Sequence, residues 1–260
     1  MSNSTGTGTR AACHNATRLY RLDLSGQGLP GLLTRLALPV IHGDVTALAA
    51  TPDGRKVAYV TSACHLPFER VSVLGVINTA TGQRKQWTWP FPGVEVPSLS
   101  ISADGRLIEY LANPNKVISS SEGQTLDNVN SLGLLPTSSP PGAAVKYGRP
   151  VLHWSGKPFG SSAVTNDGRS IYYCAPGPLS GAGILSPVAL RVYHVATGVT
   201  SKLATYHRAG FCELAMSGRE LFVDVGTDTA GPTHVSRYDL TTGKASPVSL
   251  RRAWIGLAAW

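Results

Sequence analysis

The sequence predicts an all-β protein, and three observations predict it. First, one motif recurs: "TPDGRKVAYV" at 51–60, "SADGRLIEYL" at 102–111 and "TNDGRSIYYC" at 165–174. A degenerate fourth copy, "FCELAMSGRELFVDV" at 211–225, keeps Ser217-Gly218-Arg219 and loses the Asp. Second, three further segments, "VSVLGVINTATGQRKQWTW" at 71–89, "ALRVYHVATGVTSKLATY" at 189–206 and "HVSRYDLTTGKASPVSL" at 234–250, share a Thr-Gly turn flanked by alternating residues. Third, the chain carries 28 Gly and 18 Pro, and no capped helical apolar stripe exceeds about two turns, so short strands and turns dominate.

The first motif is an inner hairpin. A short alternating run such as "VTALAAT" leads into Asp53-Gly54, Asp104-Gly105 or Asp167-Gly168, and a second alternating run follows. Asp-Gly suits the tip because both residues tolerate positive φ. The second motif is an outer hairpin turning at Gly82, Gly198 and Gly243; an earlier related segment, "TRLYRLDLSGQGLPGLLTRL", turns around Gly26. Each unit therefore holds four strands, A to D. The inner-turn glycines fall at 54, 105, 168 and 218. A four-stranded unit repeating at about 50 residues predicts a β-propeller of four-stranded antiparallel blades. In the unit beginning at 94 the outer hairpin falls to "KVISSSEGQTLDNVNSLGLL", with Gly123 at its turn.

The chain begins in mid-blade and ends on "RRAWIGLAAW". Residues 253–260 as strand A, joined to strands B, C and D from 10–40, give five blades with the C-terminal strand closing the N-terminal blade and no open sheet edge. The alternative is a truncated six-bladed propeller. Residues 1–10 read as a disordered Ser/Thr/Gly lead-in and 11–260 as one propeller domain.

"TPDGRKVAYV" followed by "INTATG" resembles the Asp-Gly-containing repeats of TolB-type and WD-repeat-like propellers. The resemblance runs over roughly 18–260 and is nearest to actinobacterial propellers that end in a short apolar strand and a final Trp. It implies architecture and says little of activity, because propellers host many unrelated functions. The Gly-His and Trp-Asp dipeptides of true WD repeats are missing, which speaks against a eukaryotic-type scaffold.

The net charge of +8 is scattered, with no nucleic-acid motif beside Arg84-Lys85 or Arg251-Arg252, so no nucleic acid is expected as a partner. No run reaches the roughly 18 apolar residues of a membrane span, and the N-terminus has no apolar signal core. A cytoplasmic protein, or a piece of a longer exported one, fits these features. A monomer is expected.

Blade topology places the D-to-A and B-to-C connections on one face, where the long segments fall: 61–70, 112–116, 137–161, 175–188 and 226–233. Six of the seven histidines and all four cysteines map there. Candidate ligand-binding residues are His42, His65, His153, Trp154 and His207, with Trp154 and His153 on the long 137–161 connection. Ala12-Cys13-His14 and Ala63-Cys64-His65 repeat one tripeptide, whose thiolates and imidazoles suit zinc. Buried thiols account for the cysteines more simply, and Cys174 and Cys212, on one face of neighbouring blades, can pair as a disulfide. No catalytic signature is present, and no catalytic residue or cofactor is assigned; Asp44, Glu95 and Glu213 sit near starts of A strands. The expected function is a non-enzymatic propeller presenting a loop-rich face to a protein or small-molecule ligand. The alternatives are a metal-dependent hydrolase or lyase with a site in the central funnel, and a sensory or structural ectodomain of a membrane-linked protein.

Overall fold

A computed structural model describes residues 16–23, 32–35, 38–65, 69–89, 94–120, 123–143, 148–155, 161–176, 187–207, 211–217, 219–226 and 234–248. The N-terminal part forms two small ladders. Strand β1 (Ala16–Thr17) pairs with β4 (Ile41–His42), and β2 (Tyr20–Asp23) pairs with β3 (Leu32–Arg35). Blade 1 follows as β5 (Asp44–Ala50), β6 (Lys56–His65), β7 (Glu69–Asn78) and β8 (Arg84–Thr88). Blade 2 is β9 (Val94–Ile101), β10 (Leu107–Ser120), β11 (Gly123–Pro136) and β13 (Arg149–Ser155); between its last two strands, β12 (Gly142–Ala143) crosses to pair in parallel with β8. Blade 3 is β14 (Ser162–Val164), β15 (Ser170–Pro176), β16 (Val188–His194) and β17 (Thr200–Tyr206). Blade 4 is β18 (Phe211–Ser217), β19 (Glu220–Gly226), β20 (His234–Asp239) and β21 (Lys244–Pro247). Pairing within each blade is antiparallel and in chain order.

The described residues thus hold four blades, not five. Among the described residues of 16–42 stand a hairpin, β2–β3, and a two-residue ladder, β1–β4, which do not pair with each other as the strands of one blade. Residues 1–10, Gly26 and the expected closing strand 253–260 lie outside the described residues. A second correction concerns blade 2. Residues 107–136 form one long B–C hairpin, Ser120 opposite Gly123, so Gly123 stands at a B–C connection instead of the expected C–D turn. Strand D is then β13. His153 and Trp154 belong to this outermost strand, opposite Ser131 and Asn130, and not to a loop.

Three inner hairpins share one set of turn contacts. Gly54 N–H donates to Thr51 O, and Gly54, Gly105 and Gly168 take φ of 66°, 64° and 69°. The Asp side chain accepts from the preceding Thr or Ser hydroxyl (Thr51–Asp53 2.6 Å, Ser102–Asp104 2.7 Å, Thr165–Asp167 2.6 Å) and from the Arg N–H after the glycine. These donors hold all three carboxyls below their usual range. Outer turns work alike: Asn78 and Asp239 accept from the two N–H groups of their turns.

Blades pack face to face. Ala58, Val60, Leu74 and Trp87 meet Val94, Leu99 and Ile108 across the first seam. Leu111 and Leu132 meet Val164 and Ile171 across the second. Leu190 meets Leu214 and Val223 across the third, where a disulfide joins Cys174 of β15 to Cys212 of β18, Cα atoms 6.1 Å apart. On strand B the same register position carries Tyr59, Tyr110 and Tyr173. Tyr59 stands opposite Gly75 and Tyr110 opposite Gly133, and each ring lies over its glycine. A Cβ there would fall 2.2 Å from Tyr59 Cζ or 2.3 Å from Tyr110 Cζ.

Both rings are buried, so Gly75→Ala and Gly133→Ala should each lower stability by about 1–3 kcal/mol through overpacking. Urea titration reads this; an unchanged midpoint would refute the ring-over-glycine account. The disulfide closes a separation of 38 residues. Its replacement by Cys174→Ala with Cys212→Ala should remove about 4 kcal/mol on the chain-entropy account, measured in the same titration.

Candidate functional site

The four A strands line the propeller axis, and an axial cavity of about 50 Å³ lies between them. Each blade contributes: Ala49 from β5, Leu99 and Ser100 from β9, Ser162 and Val164 from β14, Leu214 from β18. Pro52 and Asn166 place it at the A–B turn end. That end is opposite to the loop-rich face. Among the described residues no charged side chain lines the cavity.

Directly behind the wall lies a buried acid. Glu109, on β10, is 0% exposed. Its Oε1 accepts from Ser162 Oγ at 2.6 Å and its Oε2 from Ser100 Oγ at 2.7 Å. The serines also close the gap between two strands that do not pair. Ser162 N–H donates to Ser98 Oγ (3.1 Å) and Val164 N–H to Ser100 Oγ (2.8 Å), so side chains of β9 satisfy the inner edge of β14. No Lys, Arg or His pairs with Glu109 among the described residues. Burial therefore wins over the two hydroxyl donors and pushes the carboxyl from 4.5 up to about 7. Tyr110, next along the strand, is pushed up to about 12 by burial and by the Glu109 charge.

Around the turn end stand Arg55, Arg106 and Arg169, each one residue past a turn glycine. Each faces the Asp of its own turn at 3.6–3.9 Å with a side chain 82–86% exposed. Contacts this long and exposed contribute little to stability. A second buried carboxyl, Asp224 of β19, is 6% exposed and leaves Oδ1 without a hydrogen bond. Burial raises it first, and Glu213 on the paired strand raises it further. It does not line the axial cavity.

The sequence-derived candidates are dispersed. His42 is exposed in β4, His153 is exposed in β13 beside Trp154, and His207 is exposed just past β17. His65 ends β6 opposite Glu69. Asp44, Glu95 and Glu213 are exposed at starts of A strands. Among the described residues no three His, Cys, Asp or Glu come together as a metal site. Cys13 and His14 lie outside the described residues. Glu109 escaped the sequence reading. The signal was there: the equivalent positions after the turn glycine are Ala58, Tyr172 and Phe222, and only this copy carries a charge.

No family model and no curated protein matches the chain. Among solved structures it is similar to TolB from Acinetobacter baumannii (17% identity, TM-score 0.54), covering 88% of this chain and 48% of TolB. It is similar to the tricorn protease (13% identity, TM-score 0.60), covering 89% of this chain and 24% of that one. The β-propeller domain of the Trilobed protease from Pyrococcus furiosus, described as having an open velcro topology, matches at 14% identity and TM-score 0.50 over 86% of this chain and 65% of that one. The fold is a TolB-like β-propeller. The chain spans about half the length of the TolB chain and about a quarter of the tricorn protease chain.

Glu109 fixes a pH dependence. Between pH 4.5 and about 7 the folded state keeps a proton that the unfolded chain has released. Stability therefore falls as pH rises through that window and levels off above it, by at most about 3 kcal/mol. Glu109→Gln should flatten the fall and raise the denaturation midpoint at about pH 8 relative to the parent. Parallel profiles for the two proteins would refute the assignment.

Proposed function

We propose that this chain is a non-enzymatic interaction domain whose partner is a protein. The observation that carries the reading is the size of the axial cavity that the described residues enclose. At about 50 Å³ it is far below the roughly 300–1,000 Å³ of sites that enclose small molecules. It has room for the end of one side chain, not for a metabolite with its catalytic groups. A stack of sheets carrying short turns at one end suits recognition of a macromolecular surface. His42, His65 and His207, together with His153 and Trp154 on the outer strand of blade 2, are candidates for further contact at the periphery. The disulfide between blades 3 and 4 supports work in an oxidising compartment, as an exported propeller.

The test is capture on immobilised full-length protein from a cell-envelope extract of the source organism, followed by titration of the purified partner by calorimetry. A saturable complex tighter than about 10 μM is expected. In parallel, the protein is assayed on peptide, ester, lactone and glycan substrates. Turnover that disappears in Glu109→Gln or His207→Ala would overturn the reading.

A further inference from the structure

The axial cavity has a chemical polarity that its size alone does not convey. Ser100 and Ser162 both direct their hydroxyl protons to Glu109. The remaining oxygen lone pairs are what is left for the cavity: one of Ser100 already takes the Val164 N–H, and Ser162 Oγ also lies 3.3 Å from Ser98 Oγ. The wall therefore offers acceptors, backed by a carboxyl group that no cation partners among the described residues. The rest of the lining is a mostly aliphatic collar, Ala49, Leu99, Val164 and Leu214 among it, with the Asn166 amide at the turn end.

We propose that the cavity is a receptor for a primary ammonium group on an aliphatic stem, the chemistry of a lysine side chain, with Ser100 and Ser162 Oγ as acceptors and Glu109 as the counter-charge. This rests on the interaction-domain reading and names the group the partner inserts. A lysine has an apolar stem and a compact charged tip, which match the collar and the acceptor wall. An arginine fits less well. Its fork seeks both oxygens of a carboxylate, and both oxygens of Glu109 are taken by serines. A divalent cation asks for about six oxygen ligands, more than this wall presents. An anion meets the buried carboxylate. Arg55, Arg106 and Arg169 do not reverse this preference, because each stands beside the carboxylate of its own turn, and Arg219, in the turn that has no Asp, is exposed to solvent where its charge is screened.

Occupancy links to protonation. The groups that bond Glu109 are Ser100 from β9 and Ser162 from β14, with Tyr110 adjacent on its own strand. An incoming ammonium favours the ionised carboxylate, so binding at neutral pH releases a proton and weakens as the solution is acidified below about pH 7.

The probe is n-butylammonium chloride, titrated into the full chain at about pH 8 and followed through the amide signals of Ser100, Ser162 and Val164. Saturable shifts with a millimolar Kd are expected, because so few atoms bind weakly. Glu109→Gln should weaken them at least tenfold, and n-butanol should do no better on the parent protein. Should Glu109→Gln not fold, the parent's own pH series decides: affinity should fall about tenfold per pH unit once Glu109 is protonated. Equal response to n-butanol and n-butylammonium, a flat pH series, or no saturation by about 100 mM would overturn the proposal. Equal binding of ammonium chloride would overturn the lysine assignment in favour of a small free cation. The cavity signals and the captured complex are separate readouts: a partner that binds without shifting these amides sinks this inference and leaves the interaction domain standing.

Discussion

In a radial stack of sheets an inner blade has a neighbour on each of its faces, as blades 2 and 3 have here. That constraint governs the rest of this structure. A strand in an ordinary antiparallel sheet can turn alternate residues to water. Here strand B of blade 2 buries Ile108, Glu109, Tyr110, Leu111 and Ala112 in succession, because blade 1 takes one set and blade 3 the other. Packing at the seams must then be settled within each pair of strands. The tyrosine that lies over a glycine on the next strand is one solution: the missing side chain leaves room for a ring that fills the space between blades.

How much of this was legible follows from how local each signal is. The inner hairpins were readable because a Thr/Ser-X-Asp-Gly-Arg turn is stabilised by contacts among its own five residues, so the sequence contains the whole cause. The outer turns at Gly82, Gly198 and Gly243 were readable for the same reason. In blade 2 the local signals fade. Nothing within 114–130 reports that two long strands continue past the sheet that frames them, and Gly123 offered a turn that was then assigned to the wrong pair of strands. The place of His153 and Trp154 on strand D follows from that pairing. Glu109 was invisible to pattern reading for a different reason: alternation in "LIEYL" assigns it to solvent, and its burial comes from Ser162, which is 53 residues away in the chain.

Two sets of carboxyl groups in this protein show opposite resolutions of the same problem. Asp53, Asp104 and Asp167 sit at the surface with a hydroxyl and an N–H directed at each, and their protons leave more readily than usual. Glu109 has two hydroxyl donors as well, but it is wholly removed from water, and desolvation outweighs them. The serines that hold Glu109 are also the groups that bridge strands β9 and β14, so the acid and the seam between blades 2 and 3 form one unit.

The connection between the last two strands of blade 2 reaches back over blade 1. Strand β12 adds to β8, Trp87 donates its indole N–H to Pro140 O at 2.8 Å, and Lys85 reaches Thr137 O at 3.0 Å. An outermost strand is where a sheet protein is exposed to recruiting another chain into its hydrogen-bond ladder. Blade 1 has that vacancy filled by its own neighbour. Among the described residues the outer edges of β13, β17 and β21 pair with no strand, so edge-to-edge association would meet these and not blade 1, and Lys202 and Lys244 stand exposed on the last two as charged deterrents to stacking.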